Sequence, residues 1–240
     1  MKVASIRGFF VVCCLLALCD STSAALVSFN LTAFKALKMH PTPFPHIIVR
    51  NFIPPDVLAA VNRDFPPSLA APVQLHGQDG TKKNLEEEEL IQRGEVFGAY
   101  KQLLDDARSD EMRDVLSKVL SIKLGKLSKF TRVTLRGYCD PCLGKIHVDA
   151  KAKLVSWLLY LNEEPLQGED DAGNLRLMKR GDLQSTVKVV PSSQGTLLAF
   201  KNNLAPKHGW HGFTSYTGPR RAIQVNYQTA VVNGKRRRFY

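Results

Sequence analysis

The chain has 240 residues, of which 44% are hydrophobic and 23% are charged, and its formal net charge is +11. This composition is typical of a folded globular protein and excludes a disordered chain, a collagen-like chain and a small disulfide-rich scaffold. The length suits one domain with a substantial core. We expect the basic tail, residues 235–240, to be solvated. No RNA-binding motif or aromatic stripe accompanies it, so nucleic acid is not favoured as a partner.

The N-terminus has the pattern of a secretory signal peptide. Lys2 and Arg7 precede an apolar run over residues 8–19, and small residues follow up to Ala24. The run is shorter than the ~20 residues that span a bilayer, so a stable transmembrane anchor is not predicted. We expect residues 1–24 to be a cleaved leader and the protein to be secreted, periplasmic or lumenal in the secretory pathway. A start codon further downstream would instead make the protein cytoplasmic.

The next part of the chain predicts mainly helices. A short strand is expected at residues 44–50, and residues 66–83 lack periodicity and predict an exposed loop. Apolar side chains at helical spacing predict helices that begin at Pro54-Pro55 and that cover residues 94–107 and 110–122. The charge run at residues 86–89 predicts a solvated helix face.

From residue 130 onward the pattern changes to short strands separated by turns. Runs rich in β-branched or aromatic residues occur at 130–138, 145–148, 154–161, 175–178, 186–190, 196–201 and 222–229. Close spacing of short strands is typical of a β-sandwich or jelly roll. Because the helices precede the strands instead of alternating with them, the predicted class is α+β, with N-terminal helices packed on a double-sheet core. We expect one domain over residues 25–234, with its core at about 130–230.

Two cysteines outside the leader, Cys139 and Cys142, form a CxxC motif between two predicted strands. A thioredoxin-like redox motif would follow a strand and begin a helix, and a zinc site would need two further ligands. The sequence therefore favours a structural role for the pair, either as a small local disulfide or as free thiols in a turn that leads to His147.

Four residues in the last hundred carry the chemistry of the chain. His147 and Asp149 form an HxD motif, and His211 and Arg221 follow in a later run. Alternate side chains of a strand share a face, so we expect His147 and Asp149 to point the same way and Val148 the opposite way. With His211, they would form a three-ligand face that suits Fe(II) and leaves open positions, while a guanidinium can bind an acidic cosubstrate.

In this order, and with the runs Leu158–Asn162, Gly173–Leu177 and Pro191–Phe200 between them, these residues resemble the iron(II)- and 2-oxoglutarate-dependent dioxygenases, and within them the prolyl 4-hydroxylase-like group. The resemblance covers residues 44–229 loosely and residues 136–227 closely. It implies a double-stranded β-helix (jelly roll) in which His147, Asp149 and His211 are the catalytic iron ligands. Arg221, ten positions after His211, would pair with the distal carboxylate of 2-oxoglutarate.

The resemblance also implies a reaction. An unactivated C–H would be hydroxylated with molecular oxygen, while 2-oxoglutarate is oxidatively decarboxylated to succinate and L-ascorbate is a candidate reductant. Related halogenases lack the carboxylate ligand, so Asp149 favours hydroxylation. The substrate would be a protein or peptide, with prolyl residues as candidates, or a small molecule. The alternative is a non-catalytic, cupin-like jelly roll that binds a metal or ligand. Arg221 argues against this alternative, because metal binding alone needs no partner for a carboxylate.

Two neighbouring residues compete for the same roles. His208 lies three residues before His211, and Arg220 stands beside Arg221. Only His211 with Arg221 gives the ten-residue interval, which selects these two. Strand alternation then predicts that Arg220 faces outward, and His208 is expected in a turn or at the rim of the pocket.

Overall fold

The computed structural model describes residues 28–31, 34, 37–70, 81–122, 131–150, 152–167, 171–202, 209–228, 231–232 and 235–236. The predicted leader, His208 and residues 237–240 of the basic tail lie outside these ranges. The helices are α1 (Pro55–Arg63), α2 (Pro67–Ala70), α3 (Glu87–Gln92), α4 (Gly98–Arg108) and α5 (Asp110–Val119), with a 3-10 helix at Leu183–Ser185. Over the described part of the chain, no helix combines the length and apolar character needed to cross a membrane.

The strands are β1 (His46–Val49), β2 (Thr81–Glu86), β3 (Thr131–Cys142), β4 (Lys153–Tyr160), β5 (Leu175–Met178), β6 (Thr186–Val190), β7 (Leu197–Lys201), β8 (Trp210–Gly212), β9 (Tyr216–Gln228), β10 (Val231–Val232) and β11 (Lys235–Arg236). Six of them form the major sheet, in the order β1-β7-β4-β9-β3-β2, and three form the minor sheet, in the order β6-β5-β8. β10 and β11 pair with each other. Neighbouring strands are antiparallel, so the fold combines helices with antiparallel sheets.

The two faces of the major sheet bury different cores. Because successive side chains of a strand point to opposite faces, Ile223 and Val225 of β9 pack with Trp157 against the helices, in what we call the helix-side core. Ala222 of β9 packs on the other face with Tyr160 and with side chains of the minor sheet, in what we call the inter-sheet core.

The helices begin where the sequence provides start signals. α1 has proline in its first turn, as expected at Pro55. At α5 the Ser109 side chain accepts a hydrogen bond from the Met112 backbone N–H at 3.0 Å, which satisfies one of the free donors of the first turn. Both helices therefore confirm the predicted positions.

Two predictions about local structure are wrong. The strand expected at 145–148 does not form. This segment instead makes a single isolated bridge, through His147. The loop expected at 66–83 includes α2 and the start of β2, which pairs with β3 along the edge of the major sheet. In both cases pairing with distant strands, which local patterns do not report, decides the conformation.

Candidate metal centre

The three predicted metal ligands lie together. One ligand atom from each of His147, Asp149 and His211 lies within 4.8 Å of the others. Within the described ranges, no other group of three His, Cys, Asp or Glu side chains converges in this way. A backbone bridge explains the proximity of the two histidines. Each N–H of the pair donates to the other's carbonyl at 2.9 Å, and their ring centroids lie 4.4 Å apart.

Backbone carbonyls fix the tautomers of both rings. Nδ1 of His147 lies 2.8 Å from the Lys145 carbonyl oxygen, and Nδ1 of His211 lies 2.7 Å from that of Gly209. A carbonyl oxygen can only accept, so each Nδ1 carries a hydrogen and Nε2 is the nitrogen left to bind a metal. This is the state in which histidine binds a metal, and hydrogen bonds of this kind orient metal ligands in proteins.

Two glycines allow the segment with His147 to approach β8. A Cβ on Gly144 would collide with the Phe213 carbonyl oxygen, and one on Gly212 would lie 2.9 Å from the Ile146 Cα. The absence of a side chain at both positions lets the two backbones come close enough to form the bridge.

The carboxylate of Asp149 is buried, with 2% of its side chain exposed, and both of its oxygens have partners. Oδ1 forms an ion pair with Lys153 Nζ, and Oδ2 accepts a hydrogen bond of 2.6 Å from Ser156 Oγ. Burial raises the pKa of this carboxyl, but its interactions with His211 and Lys153 and the two hydrogen bonds outweigh burial, so its pKa lies below the ordinary value. Asp149 is therefore ionised and able to bind a cation.

His211 is held in its neutral form. Its pKa is lowered to about 4, mainly by burial and to a smaller extent by His147 and Lys153, while Asp149 acts in the opposite direction. Protonation would block Nε2, so this environment keeps the ring available to a metal at neutral pH.

The prediction that Arg220 faces outward is wrong. Its side chain is 3% exposed, its Nε donates to the Gly173 carbonyl at 2.7 Å, and its guanidinium lies 4.1 Å from the centre of the Phe213 ring. Burial lowers its pKa. Arg220 therefore points into the inter-sheet core, on the face of the major sheet that also carries Ser156, the partner of Asp149.

Arg221 lies on the opposite face of β9. Its Nη1 donates to Asn62 Oδ1 at 2.7 Å, and its guanidinium lies 4.7 Å from the centre of the Phe65 ring. The side chain is thus packed against α1 and the residues that follow it. The ten-residue interval thus selects an arginine on the face of β9 opposite to the inter-sheet core, and the role of Arg221 as the carboxylate partner stays a prediction.

A second, partly buried arginine on this face is not identified by the sequence motifs. Arg136 of β3 donates through Nη2 to Gln224 Oε1, and burial, together with the charge of Arg220, lowers its pKa to about 10. Arg136 Nε and Arg220 Nη2 are buried with no hydrogen-bond partner among the described residues. One signal could have revealed this face: Arg220, Gln224 and Asn226 form a polar stripe at alternate positions of an otherwise apolar strand.

Cys139 and Cys142 form a disulfide, with their Cα atoms 4.8 Å apart. Both lie in the inter-sheet core, where β3 pairs with the start of β9. Of the two structural roles that the sequence left open, the structure has the disulfide.

No protein-family model matches the sequence, and no curated protein is significantly similar to it. Among solved structures, the fold is similar to that of a prolyl-4-hydroxylase from Pseudomonas putida (15% identity, 77% of this chain and 88% of that chain, TM-score 0.47). It is also similar to that of a prolyl hydroxylase from Trichoplax adhaerens, in complex with a peptide fragment of the hypoxia inducible factor oxygen degradation domain (17% identity, 77% and 83%, TM-score 0.49). Because the sequence identities and TM-scores are low, the reaction of this chain is inferred from its own residues.

Proposed function

We propose that this protein is an Fe(II)- and 2-oxoglutarate-dependent dioxygenase of the prolyl 4-hydroxylase-like group, built on a double-stranded β-helix formed by the major and minor sheets. The observation that carries the proposal is the convergence of His147, Asp149 and His211. Two imidazoles and one carboxylate are the donor set of non-haem Fe(II) oxygenases, and they leave positions for further ligands. The residues therefore fit the metal.

The buried arginines support a dicarboxylate cosubstrate. A buried guanidinium without a carboxylate partner is costly, and Arg136 and Arg220 lie close enough to repel each other. A dianion such as 2-oxoglutarate would supply the missing partners for Arg136 Nε and Arg220 Nη2. We therefore assign the distal carboxylate to Arg220 instead of Arg221, with Arg136 as the second cation of the pocket.

A bound Fe(II) would supply the oxygen chemistry, in which hydroxylation of an unactivated C–H is coupled to oxidative decarboxylation of 2-oxoglutarate to succinate. The chain itself positions the reactants. Backbone carbonyls hold His147 and His211 in the binding tautomer, Ser156 fixes Asp149, and Arg220 orients the cosubstrate. L-ascorbate remains a candidate reductant. The substrate is a protein, peptide or small molecule, with prolyl residues as candidates.

The experiment that tests this function measures succinate. Purified protein is supplied with Fe(II), ascorbate, isotopically labelled 2-oxoglutarate and a panel of peptides and metabolites, and labelled succinate is quantified by mass spectrometry. We expect turnover by the wild type and none by His147→Ala or Asp149→Ala. His40→Ala, which removes an exposed histidine outside the cluster, should retain activity. A folded, iron-loaded wild type that forms no succinate would favour the cupin-like binding module.

We also propose that residues 1–24 direct the chain into the secretory pathway or periplasm. The Cys139–Cys142 disulfide supports this location, because disulfides persist in oxidising compartments. N-terminal sequencing of the mature protein tests the proposal. A protein that begins at Met1 or at a downstream methionine would instead indicate the cytoplasm.

A further inference from the structure

The two oxygens of the Asp149 carboxylate are held by partners of very different mobility. Oδ2 accepts from Ser156 Oγ, which is fully buried. The Ser156 hydroxyl in turn receives a hydrogen bond of 2.7 Å from Asn202 Nδ2 and lies 2.8 Å from the Asn226 side-chain oxygen. Each of these groups is buried and belongs to, or directly follows, a strand of the major sheet. Oδ2 is therefore fixed by a network that cannot move without disturbing the sheet.

Oδ1 has a partner that can leave. The ammonium of Lys153 ends a long, flexible side chain that is 22% exposed, while Asp149 is 2% exposed. Lysine keeps its charge in water at little cost when its stem can extend towards solvent. The ion pair therefore joins a buried carboxylate to a cation that stands at the boundary between the site and solvent.

A metal ion and this ammonium compete for the charge of the same carboxylate. Each oxygen has two lone pairs, but Oδ1, whose partner can withdraw, accepts the metal at a lower cost than Oδ2. A divalent cation and an ammonium at neighbouring positions repel each other. Lys153 also acts on His211, the second ligand, which places its charge beside the cluster itself.

We propose that Lys153 is a displaceable counter-ion of Asp149, which neutralises the buried carboxylate in the metal-free protein and must leave Oδ1 when a metal binds, so that it weakens metal binding while Ser156 keeps the carboxylate in place. The inference rests on the proposed function only in requiring that His147, Asp149 and His211 bind a divalent metal. It assigns opposite effects to two neighbours of one carboxylate: Lys153 opposes the metal and Ser156 supports it.

The same ion pair stabilises the metal-free fold. Removal of one partner of a buried ion pair leaves an uncompensated charge, which destabilises a protein. Without Lys153, Asp149 would be such a charge until a metal arrives. Loss of the lysine should therefore lower the melting temperature of the metal-free protein and increase the rise in melting temperature that the metal produces.

The experiment compares the Mn(II) affinity of wild type, Lys153→Met, Lys153→Arg and Ser156→Ala by isothermal titration calorimetry, and their melting temperatures with and without Mn(II). Methionine keeps the length of the side chain and removes its charge, whereas arginine keeps the charge. We expect Lys153→Met to bind Mn(II) about tenfold more tightly, because repulsion of a divalent ion at this range persists even at the dielectric constant of water. Lys153→Arg should resemble the wild type, and Ser156→Ala should bind about 10- to 100-fold more weakly.

Lys188→Met is the matched control, because it removes an exposed lysine of β6 and should leave the affinity unchanged. Weaker or unchanged binding by Lys153→Met, or equally tight binding by Lys153→Arg, would overturn the role of Lys153 and leave the proposed function intact. If neither the wild type nor Lys153→Met bound Mn(II), the metal centre itself would be refuted, and the inference with it.

Discussion

Arg220 and Arg221 are adjacent, carry the same charge and differ in the face of β9 on which they lie, so they form a matched pair. Replacement of each by methionine removes the charge and keeps a long apolar side chain. If Arg220 binds the cosubstrate and Arg221 only attaches α1 to the sheet, Arg220→Met should weaken 2-oxoglutarate binding and Arg221→Met should weaken the fold. The two variants thus separate binding from stability.

The expected loss of affinity in Arg220→Met is large. Truncation of one member of a buried, hydrogen-bonded charge pair costs about 2–5 kcal/mol, which corresponds to a rise in the dissociation constant of roughly 30-fold to several thousand-fold. The effect on stability should be small. The variant loses the 2.7 Å hydrogen bond to Gly173, but it also removes a buried charge that is repelled by Arg136 and has one nitrogen without a partner.

The expected loss of stability in Arg221→Met follows from its two contacts. The hydrogen bond from the guanidinium to Asn62 contributes about 1.5–3 kcal/mol, and the contact with the Phe65 ring about 0.5–1 kcal/mol. Together they predict a loss of about 2–4 kcal/mol. For a chain of this size that corresponds to a melting temperature lower by about 4–16 °C.

Calorimetric titration with 2-oxoglutarate in the presence of Mn(II) measures the affinity, and thermal unfolding followed by circular dichroism measures the stability. Each variant is compared with the wild type in both assays. A folded Arg221→Met protein with a dissociation constant raised tenfold or more, beside an Arg220→Met protein that binds normally, would refute the assignment and restore Arg221 as the carboxylate partner.

The metal-free protein should lose stability as the pH falls from about 6.5 towards 4. In this window the unfolded chain protonates His211, while burial holds the pKa of the folded ring at about 4, so a contribution of about 3 kcal/mol that is complete above pH 6.5 disappears. Urea unfolding across this range should show a shallower pH dependence for His211→Gln, and equal slopes would contradict the pKa. Replacement of both Cys139 and Cys142 by alanine should cost only about 2 kcal/mol in the same assay, because the bond closes a short loop. A loss above about 4 kcal/mol would show that the disulfide also supports the packing around it.

The helices and most strands follow from local patterns in the sequence. α1 begins at a proline, and α5 occupies the segment with the clearest helical spacing of apolar residues. β2 could not be predicted, because its sequence, TKKNLE, has neither alternation nor β-branched residues beyond the first. Its conformation comes from pairing with β3, which lies about fifty residues later in the chain. Propensity alone is a weak guide at the edge of a sheet.

The residues of the site likewise divide into those that the sequence reveals and those that only the structure reveals. The iron ligands could be found from residue types and order, since two histidines and one aspartate are a restricted chemical choice. The expected strand through His147 and Asp149 was not needed to bring them together, because a single backbone bridge to His211 does so. Arg136 could not be found from spacing. Only the register of β3 against β9, in which Arg136 lies opposite Ala222, places it beside the other cation.

The positive charges near the metal ligands couple the proposed binding of the metal to that of the cosubstrate. Arg136 and Lys153 lie near one carboxylate, Asp149, and Arg220 lies near Arg136, so the site carries excess positive charge before any ligand binds. A divalent metal alone would add to this excess, whereas a dicarboxylate would neutralise the two arginines. Each ligand therefore reduces the electrostatic cost of binding the other, and such coupling is reciprocal. Lys153 can move its charge towards solvent when a metal binds, whereas the arginines keep their charges in place and favour binding of a dianion. Under the proposed function, a dianionic cosubstrate balances the cations beside the triad, whereas a simple metal-binding pocket would have no need of them.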